Sequence, residues 1–308
     1  MLIGYFSFGS VLASMARVGW GGFVLTIVCQ LALFMPLGLA WLLVAPTEPV
    51  ERLGWFSWGR LIREAASDVL PFSQVGGFLV GARAIVAGGV TSGTAFGSGV
   101  VDVTFEMFAQ MAYTLFGVVL LVARLGAASR TDRLVWMLVL GLFVMAAIGG
   151  AMVLIQRKGA ALAERIAGHV MPAAAVHAAR VGQAVDEAYA RPIRLWSSWT
   201  VHVCCWFGSA LSTWLILSLI GQHLSFLAVV AIESLLYAIR NAAFFVPGGI
   251  GVQEGAYALL GPLFGLPSEA ALALSLLKRS RDIAIGVPAL LIWQLLEGRR
   301  PGRMVADA

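Results

Sequence analysis

Ionisable side chains interrupt the apolar stretches of this sequence, and they are the residues best able to do chemistry. Asp102 and Glu106 are four residues apart, as are Lys278 and Asp282, so each pair shares one face of a helix. An arginine stays charged when buried, and its planar fork suits a phosphate oxyanion. We therefore predict a binding or transport site formed by Arg83, Asp102, Glu106, Glu254, Lys278, Arg279 and Asp282.

These charges have a second interpretation. Glu106 and Asp282 could equally form structural ion pairs that lock two helices together. If the residues form a site, the acidic pair and the basic residues around Lys278 should neutralise each other across a central cavity. In particular, Arg83, Asp102, Glu254 and Lys278 should converge on one cavity.

Composition indicates the solvent around these charges. The chain has 308 residues, of which 60% are hydrophobic and 12% charged, with a net charge of +5 and a mean hydropathy of +0.88. Soluble domains carry about 25% charged residues, so the composition excludes an ordinary soluble or disordered chain. It predicts an all-α, polytopic membrane protein. The predicted spans are 20–44, 99–123, 134–156, 196–220 and 269–294.

Two stretches have too many glycines and prolines for one straight helix. They cover 71–99 and 244–267, and each is predicted to form two short helices that enter and leave the membrane on the same side. Glu254 should lie just inside the broken helix of the second stretch, where the helix dipole favours an anion. The predicted re-entrant hairpin residues are Pro71, Gly76, Gly77, Pro247, Gly248, Gly249, Gly251 and Gly255.

Features of the first half of the sequence recur in the second half at a constant distance along the chain. When the two halves are aligned, Pro71 matches Pro247 and the span 20–44 matches 196–220. This recurrence predicts an internal repeat within one membrane domain covering 1–308. The first unit is about 18–124 and the second about 195–297, each read as span, interfacial elbow, hairpin and span. A connecting span and an amphipathic cytoplasmic loop fill 134–194. An odd number of crossings separates the units, so they should be inverted, as in alternating-access transporters.

Basic residues in the loops predict the orientation of the chain. The loop at 157–194 and the C-terminal tail carry most of them, which places both in the cytoplasm. The segment around 48–64 then lies on the same side, and Arg17 and Arg124 lie outside. We expect a multi-pass protein of the bacterial inner membrane.

The string FFVPGGIGVQEGA from Phe244, together with the Pro71–Gly77 and Arg83 hairpin, resembles a known family. This is the flippase-like family of the lysylphosphatidylglycerol synthase transmembrane region, and the chain is most similar to the hopanoid-associated HpnL subgroup. The resemblance implies two re-entrant hairpins and the handling of membrane lipids. A Gly-Glu pair usual in the first hairpin of relatives is replaced by Gly77-Phe78.

The resemblance and the charges together favour translocation of an amphiphile, such as a phospholipid, an aminoacyl-phospholipid or a hopanoid. The alternatives are a membrane scaffold for lipid-synthesis enzymes and an enzyme acting on a lipid head. Enzyme activity is disfavoured because none of His169, His177, His202 and His223 has a motif spacing to a nucleophile. We expect membrane lipids as partners, and no metal, cofactor or nucleic acid.

Overall fold

The computed structural model describes residues 8–69, 73–125, 136, 139–141, 143–144, 146–156, 172–243, 246 and 251–298. Within these ranges the chain is almost wholly helical and has no strand, which confirms the all-α prediction. The helices are α1 (Phe8–Leu43), α2 (Leu53–Val69), α3 (Ser73–Ala87), α4 (Ser92–Leu125), α5 (Val139–Gln156), α6 (Pro172–Tyr189), α7 (Pro192–Leu219), α8 (Phe226–Ala242), α9 (Val252–Leu260) and α10 (Ser268–Gly298).

Four helical segments are long and apolar enough to cross a membrane: Ala16–Leu43, Ser92–Arg124, Val139–Gln156 and Pro192–Leu219. They match four of the five predicted spans, and the chain is a multi-pass membrane protein. The fifth predicted span lies in α10, which is 31 residues long and carries its charges between 278 and 282. Because helix length scales with residue number, α10 is as long as the other spans. Its central charges distinguish it from them.

Helices α2 and α3 form an antiparallel hairpin, called the first hairpin below. Its arms pack closely because glycines of α3 face side chains of α2. A Cβ atom added at Gly77 would collide with the Ser67 hydroxyl, and one added at Gly88 would lie 2.5 Å from Cγ of Trp55. Ser67 is near the end of α2 and Trp55 near its start, so the tip lies between the two helices and the open end near Gly88.

This hairpin corrects two predictions. The segment 55–69 is not an interfacial elbow: it is one arm of the hairpin, and Arg60 and Arg63 are buried. The stretch 71–99 is not two short arms, because its second half continues into the 34-residue α4. The physical reason is that α2 carries enough apolar and small residues to pack on α3, while its charges find partners inside the bundle. Pro71 lies outside the described residues.

Helices α8 and α9 form the second hairpin, whose α9 arm continues into a 3-10 turn at Gly261–Phe264. Gly251 precedes α9 with φ +81°, a left-handed conformation that favours glycine. The Gly251 N–H donates to Glu254 Oε2 over 2.9 Å, so Glu254 lies in the first turn of α9, as predicted. Pro247, Gly248 and Gly249 lie outside the described residues.

The two hairpins enter the bundle from opposite ends. Helix α4 starts just after the open end of the first hairpin, where Gly89 turns the chain with φ +90°. Its other end lies beside the open end of the second hairpin, where Leu120 and Arg124 line a cavity of about 390 Å³ together with Leu224 and Ser225. A 34-residue helix is about 50 Å long. The open ends are therefore far apart.

The inner ends of the hairpins meet between these open ends. Asp68, at the inner end of α2, forms an ion pair with Arg240 at the inner end of α8, with 3.5 Å between Oδ1 and Nη2. Apolar packing flanks this junction on both sides. On one side Trp41 packs edge-on against Phe56 with ring centroids 6.0 Å apart, and on the other Tyr257 is fully buried.

Helices α1–α4 and α7–α10, called the first and second groups, share their order and spacing. The 28-residue segments that start at Ala16 and Pro192 are separated along the chain by the same offset as the starts of α4 and α10. Contacts between the groups are reciprocal: α4 packs on α7 and α8, and α10 packs on α1 and α2. A two-fold axis would produce such an exchange of partners. The inverted repeat stays a prediction.

Candidate functional site

The predicted acidic pair lies in a buried network, called the first ion cluster, between α2, α4 and α7. Arg63 Nη1 donates to Asp102 Oδ2 over 3.0 Å, and Arg63 Nη2 donates to Glu106 Oε2 over 2.6 Å. Arg60 forms a forked pair with Glu106, with 2.7 Å from Nη1 to Oε2. His202 Nε2 lies 3.0 Å from Asp102 Oδ1. Every charge in this cluster therefore has a close partner.

Lys278 lies in a second ion cluster, which joins all four helices of the second group. Its ammonium donates to Glu233 Oε2 over 2.7 Å, to Tyr257 Oη over 2.8 Å and to Thr213 Oγ1 over 3.2 Å. Tyr257 Oη in turn donates to Glu233. An ammonium has three protons to donate, and the structure supplies one acceptor for each of them, so this buried charge is fully satisfied.

The expectation that the acidic pair and the residues around Lys278 neutralise each other is wrong. Each cluster is neutralised within its own group of helices: Asp102 and Glu106 by arginines of α2, and Lys278 by Glu233 of α8. The physical reason is the cost of an unpaired buried charge, which favours a partner on the adjoining hairpin arm over one across a cavity.

The remaining charges of α10 also find partners close by. Arg279 Nη2 lies 3.0 Å from Glu254 Oε1, so the carboxylate that caps α9 also binds α10. Arg281 Nη2 lies 2.8 Å from Asp282 Oδ1, its neighbour in sequence. The interpretation of Glu106 as an ion-paired residue that locks two helices together thus agrees with its geometry. The ion pair of Asp282 with Arg281 lies within α10 and does not join two helices. Both Glu106 and Asp282 also face the cavity described next.

Two small adjoining cavities, together called the central cavity, lie where the hairpins meet. They share Gln30, Phe34, Glu64 and Tyr237 in their walls and have volumes of about 40 and 70 Å³. These volumes hold a few water molecules and are far below the roughly 300–1,000 Å³ of a usual small-molecule site. The charged and imidazole side chains in the walls are Arg60, Glu64, Asp68, Glu106, His202, Arg240, Lys278, Arg281 and Asp282.

The structure brings some of the predicted site residues to this cavity and not others. Lys278, Asp282 and Glu106 line it, and Asp102 lies directly behind Glu106 in the first ion cluster. Arg279 and Glu254 pair with each other where α9 meets α10.

Arg83 is elsewhere, which corrects the expectation that it converges with the others. Its guanidinium donates to Glu297 Oε1 over 2.6 Å, near the end of α10 and the open end of the first hairpin.

Sequence reasoning missed the contribution of α2 to this cavity. Arg60, Glu64 and Asp68 are spaced by four residues and share one face of a helix, and this face lines the cavity. The spacing was visible in the sequence, but the charges suggested contact with water at a membrane surface. Arg240, Arg281 and Glu233 were visible as charges in apolar surroundings but were not assigned to the site.

The site offers charged and hydrogen-bonding groups from both groups of helices. In the described ranges, no three His, Cys, Asp or Glu side chains are placed to hold a metal ion. The cavity carries balanced charge of both signs against walls of Phe34, Leu61 and Trp206. Such a mixed lining can solvate a polar or charged group at a depth where lipid cannot.

The chain was also compared with known proteins. A family model described as the lysylphosphatidylglycerol synthase TM region matches residues 1–289. The chain belongs to this family. No curated protein and no solved structure gives a significant match. For this member of the lysylphosphatidylglycerol synthase transmembrane family, a link to lipid handling follows, while the HpnL subgroup stays a prediction.

Proposed function

We propose that this protein translocates an amphiphilic lipid between the leaflets of the bacterial inner membrane. The polar head would cross through the central cavity while the acyl chains remain in the bilayer. The observation that carries the proposal is the junction of two opposed hairpins, at which Asp68 meets Arg240 beside a cavity lined by further charges. Family membership supports the choice of a lipid as the transported molecule.

The outer surface fits a protein in contact with lipid along its length. Helix α1 exposes large apolar side chains at intervals of three or four residues, which form one stripe. Exposed apolar surface of this kind is stable in hydrocarbon and would be a liability in water. The residues of this stripe are Trp20, Val24, Val28, Leu31 and Met35.

The small volume of the central cavity indicates how transport would proceed. A cavity of about 70 Å³ is closed to a lipid head, so the hairpins must separate before a head can enter. Opening toward one end at a time would give alternating access, and inverted repeats supply the two equivalent conformations that this requires. We propose that the first and second groups are such inverted repeats, with the first hairpin entering from the cytoplasm.

The head would be held by cations that line the cavity, namely Lys278, Arg240 and Arg281. Carboxylates of Glu64, Asp68 and Asp282 face the same space and would balance the charge when no head is present. Arg83 has no place in this site, because it pairs with Glu297 near the end of α10. Arg83 therefore serves as a control position.

A reconstituted vesicle assay tests the proposal. The variant Ser67→Cys/Ala242→Cys, which places thiols beside the Asp68–Arg240 pair and keeps both of its residues, is made in a background without Cys29, Cys204 and Cys205. Its two tips are joined with a short bis-maleimide that contains a disulfide. Movement of a short-chain fluorescent phospholipid from the inner to the outer leaflet is followed by its extraction into albumin, which leaves the disulfide of the linker intact. We expect lipid transport before cross-linking and a transport rate at least about tenfold lower after it. The transport rate should recover when the disulfide of the linker is reduced.

Two results of this assay would contradict the proposal. Transport that continues unchanged through the cross-linked protein would show that the head does not pass between the tips. Failure of the uncross-linked protein to move phospholipid, aminoacyl-phospholipid and hopanoid probes would favour a scaffold. The variant Arg83→Gln keeps the central cavity intact and removes only a partly exposed ion pair, so its transport rate should stay within about fivefold of that of the unmodified protein.

A further inference from the structure

The cations at the central cavity differ in how well they are paired. Arg60, Lys278 and Arg281 each have a carboxylate oxygen within 3.0 Å. For Arg240 the nearest carboxylate oxygen in the described residues is that of Asp68, at 3.5 Å. Its other polar contact within the described ranges, from Nη1 to Gln253 Oε1, is also 3.5 Å long. Arg240 is thus the cavity cation with the loosest partners.

Arg240 is also accessible. Its side chain is 26% exposed and that of Asp68 is 31% exposed, whereas those of Arg60 and Lys278 are each 4% exposed. A guanidinium presents five donors in a planar fork, and two contacts of 3.5 Å leave this capacity largely unused. A ligand can therefore reach Arg240 and gain short hydrogen bonds that the protein itself does not provide.

A phosphate is the ligand whose chemistry best fits this position. Two of its oxygens match the guanidinium fork, and it carries the same sign of charge as the carboxylate that it would replace. Aromatic contact from the Tyr237 ring, with Arg240 Cζ 5.8 Å from its centroid, holds the guanidinium at the cavity wall.

We propose that the phosphate of an incoming lipid head binds Arg240 by displacing Asp68, and that this exchange separates the hairpin tips. The inference rests on the proposed function for the presence of a lipid head in this cavity. It deepens that function because it names the group recognised, a phosphate, and the ion pair that must open. With no phosphate present, Asp68 occupies Arg240 and the tips stay joined.

The exchange predicts that the two partners of one ion pair have opposite effects on binding. Removing Asp68 removes a competitor, so Asp68→Asn should bind phosphate-bearing lipid more tightly, by about two- to fivefold, the factor expected for a partly exposed pair. Removing Arg240 removes the receptor, so Arg240→Gln should bind at least about tenfold more weakly. A purely structural ion pair would weaken binding in both variants.

The test is isothermal titration calorimetry of the purified full-length protein with dihexanoyl phosphatidic acid. Inorganic phosphate and dihexanoylglycerol serve as two further ligands, since they carry the head and the chains alone. We expect binding of the phosphatidic acid, weaker binding of phosphate with the same order among variants, and no dependence on Arg240 for dihexanoylglycerol. Equal binding of the two lipids would overturn the inference.

Three variants separate exchange from general electrostatics. Glu64→Gln removes a carboxylate from the same cavity that is paired with Arg60 and not with Arg240, so it should change the dissociation constant by less than about twofold. In Asp68→Asn/Arg240→Gln the gain from Asp68→Asn should vanish, because no receptor remains. Arg240→Lys keeps the charge without the fork and should bind at an intermediate level.

Several outcomes would overturn the inference. They are equal tightening by Glu64→Gln and Asp68→Asn, a gain that persists without Arg240, or weakened binding in both single variants. These results concern equilibrium binding alone. A protein that shows the exchange but moves no lipid would refute the proposed translocation and leave the phosphate site standing, so the two failures can be told apart.

Discussion

Arg63 and Asp102 connect the first hairpin to α4 through a hydrogen bond of 3.0 Å between Nη1 and Oδ2, and both side chains are buried. Asp102 is fully enclosed, so its charge depends on protein partners in place of water. The adjoining guanidinium of Arg60 and the ring of His202 complete its surroundings. The position of the first hairpin against α4 therefore depends on Asp102 together with Glu106, which pairs with the same two arginines.

Replacement of the Asp102 carboxylate should strongly destabilise the fold. In Asp102→Asn the buried Arg63 loses one of its two anionic partners, a kind of change that costs about 3–5 kcal/mol in the free energy of unfolding. Thermal unfolding in detergent, followed by tryptophan fluorescence, would measure the effect. Glu297→Gln provides the control, because the pair of Arg83 and Glu297 is partly exposed and should lose less than about 1 kcal/mol. Equal losses of unfolding free energy in Asp102→Asn and Glu297→Gln would contradict the structural role given to Asp102.

The pair of Lys278 and Glu233 should behave as a unit. Lys278→Met or Glu233→Leu alone leaves a buried charge without its counter-ion, so each should lose about 3–5 kcal/mol. The apolar double variant Lys278→Met/Glu233→Leu removes both charges and should recover most of that loss. A double-mutant cycle on thermal unfolding measures the coupling. Additive losses would show that the two residues do not stabilise each other.

The spacing of the first hairpin should depend on Gly77. A Cβ atom there would collide with the Ser67 hydroxyl and lie 2.5 Å from the Arg63 carbonyl oxygen, so Gly77→Ala must push the arms apart. We expect a loss of about 1–3 kcal/mol in unfolding free energy. Gly54 is the matched control, since no atom lies within 4 Å of a Cβ added there and alanine favours the helix by about 0.5–1 kcal/mol. Stabilisation of the protein by Gly77→Ala would contradict this packing.

The opposed hairpins predict a labelling pattern across the membrane. Val50, near the open end of the first hairpin, is exposed, and His223 lies near the open end of the second. Single cysteines at these positions, in a background without native cysteines, should react with a membrane-impermeant maleimide from opposite sides. Val50→Cys should react only from the cytoplasmic side and His223→Cys only from the other. Both should react fully once detergent opens the membrane, and labelling from one common side would refute the inverted arrangement.

The sequence predicted the helical spans well because a long apolar run has few other stable structures in a membrane. It also predicted the position of Glu254, since glycine before a helix and an acid in its first turn are local signals. The role of α2 could not be read in the same way. Arg60 and Arg63 resemble surface residues when considered alone, and only the packing of α3 and α4 shows that Asp102 and Glu106 neutralise them. Ion partners 39 and 43 residues apart are set by tertiary contacts.

The distribution of ion pairs has a mechanical consequence. The ion pairs that are buried from water join helices of one group and would move together with that group. Examples are Arg63 with Asp102 and Lys278 with Glu233. Those that bridge the groups, Asp68 with Arg240 and Arg83 with Glu297, are partly wetted. Rocking one half against the other would thus break bonds that water can replace at about 0–1 kcal/mol each. Apart from the imidazole contact of His202, the described residues hold no dry ion pair that resists that motion.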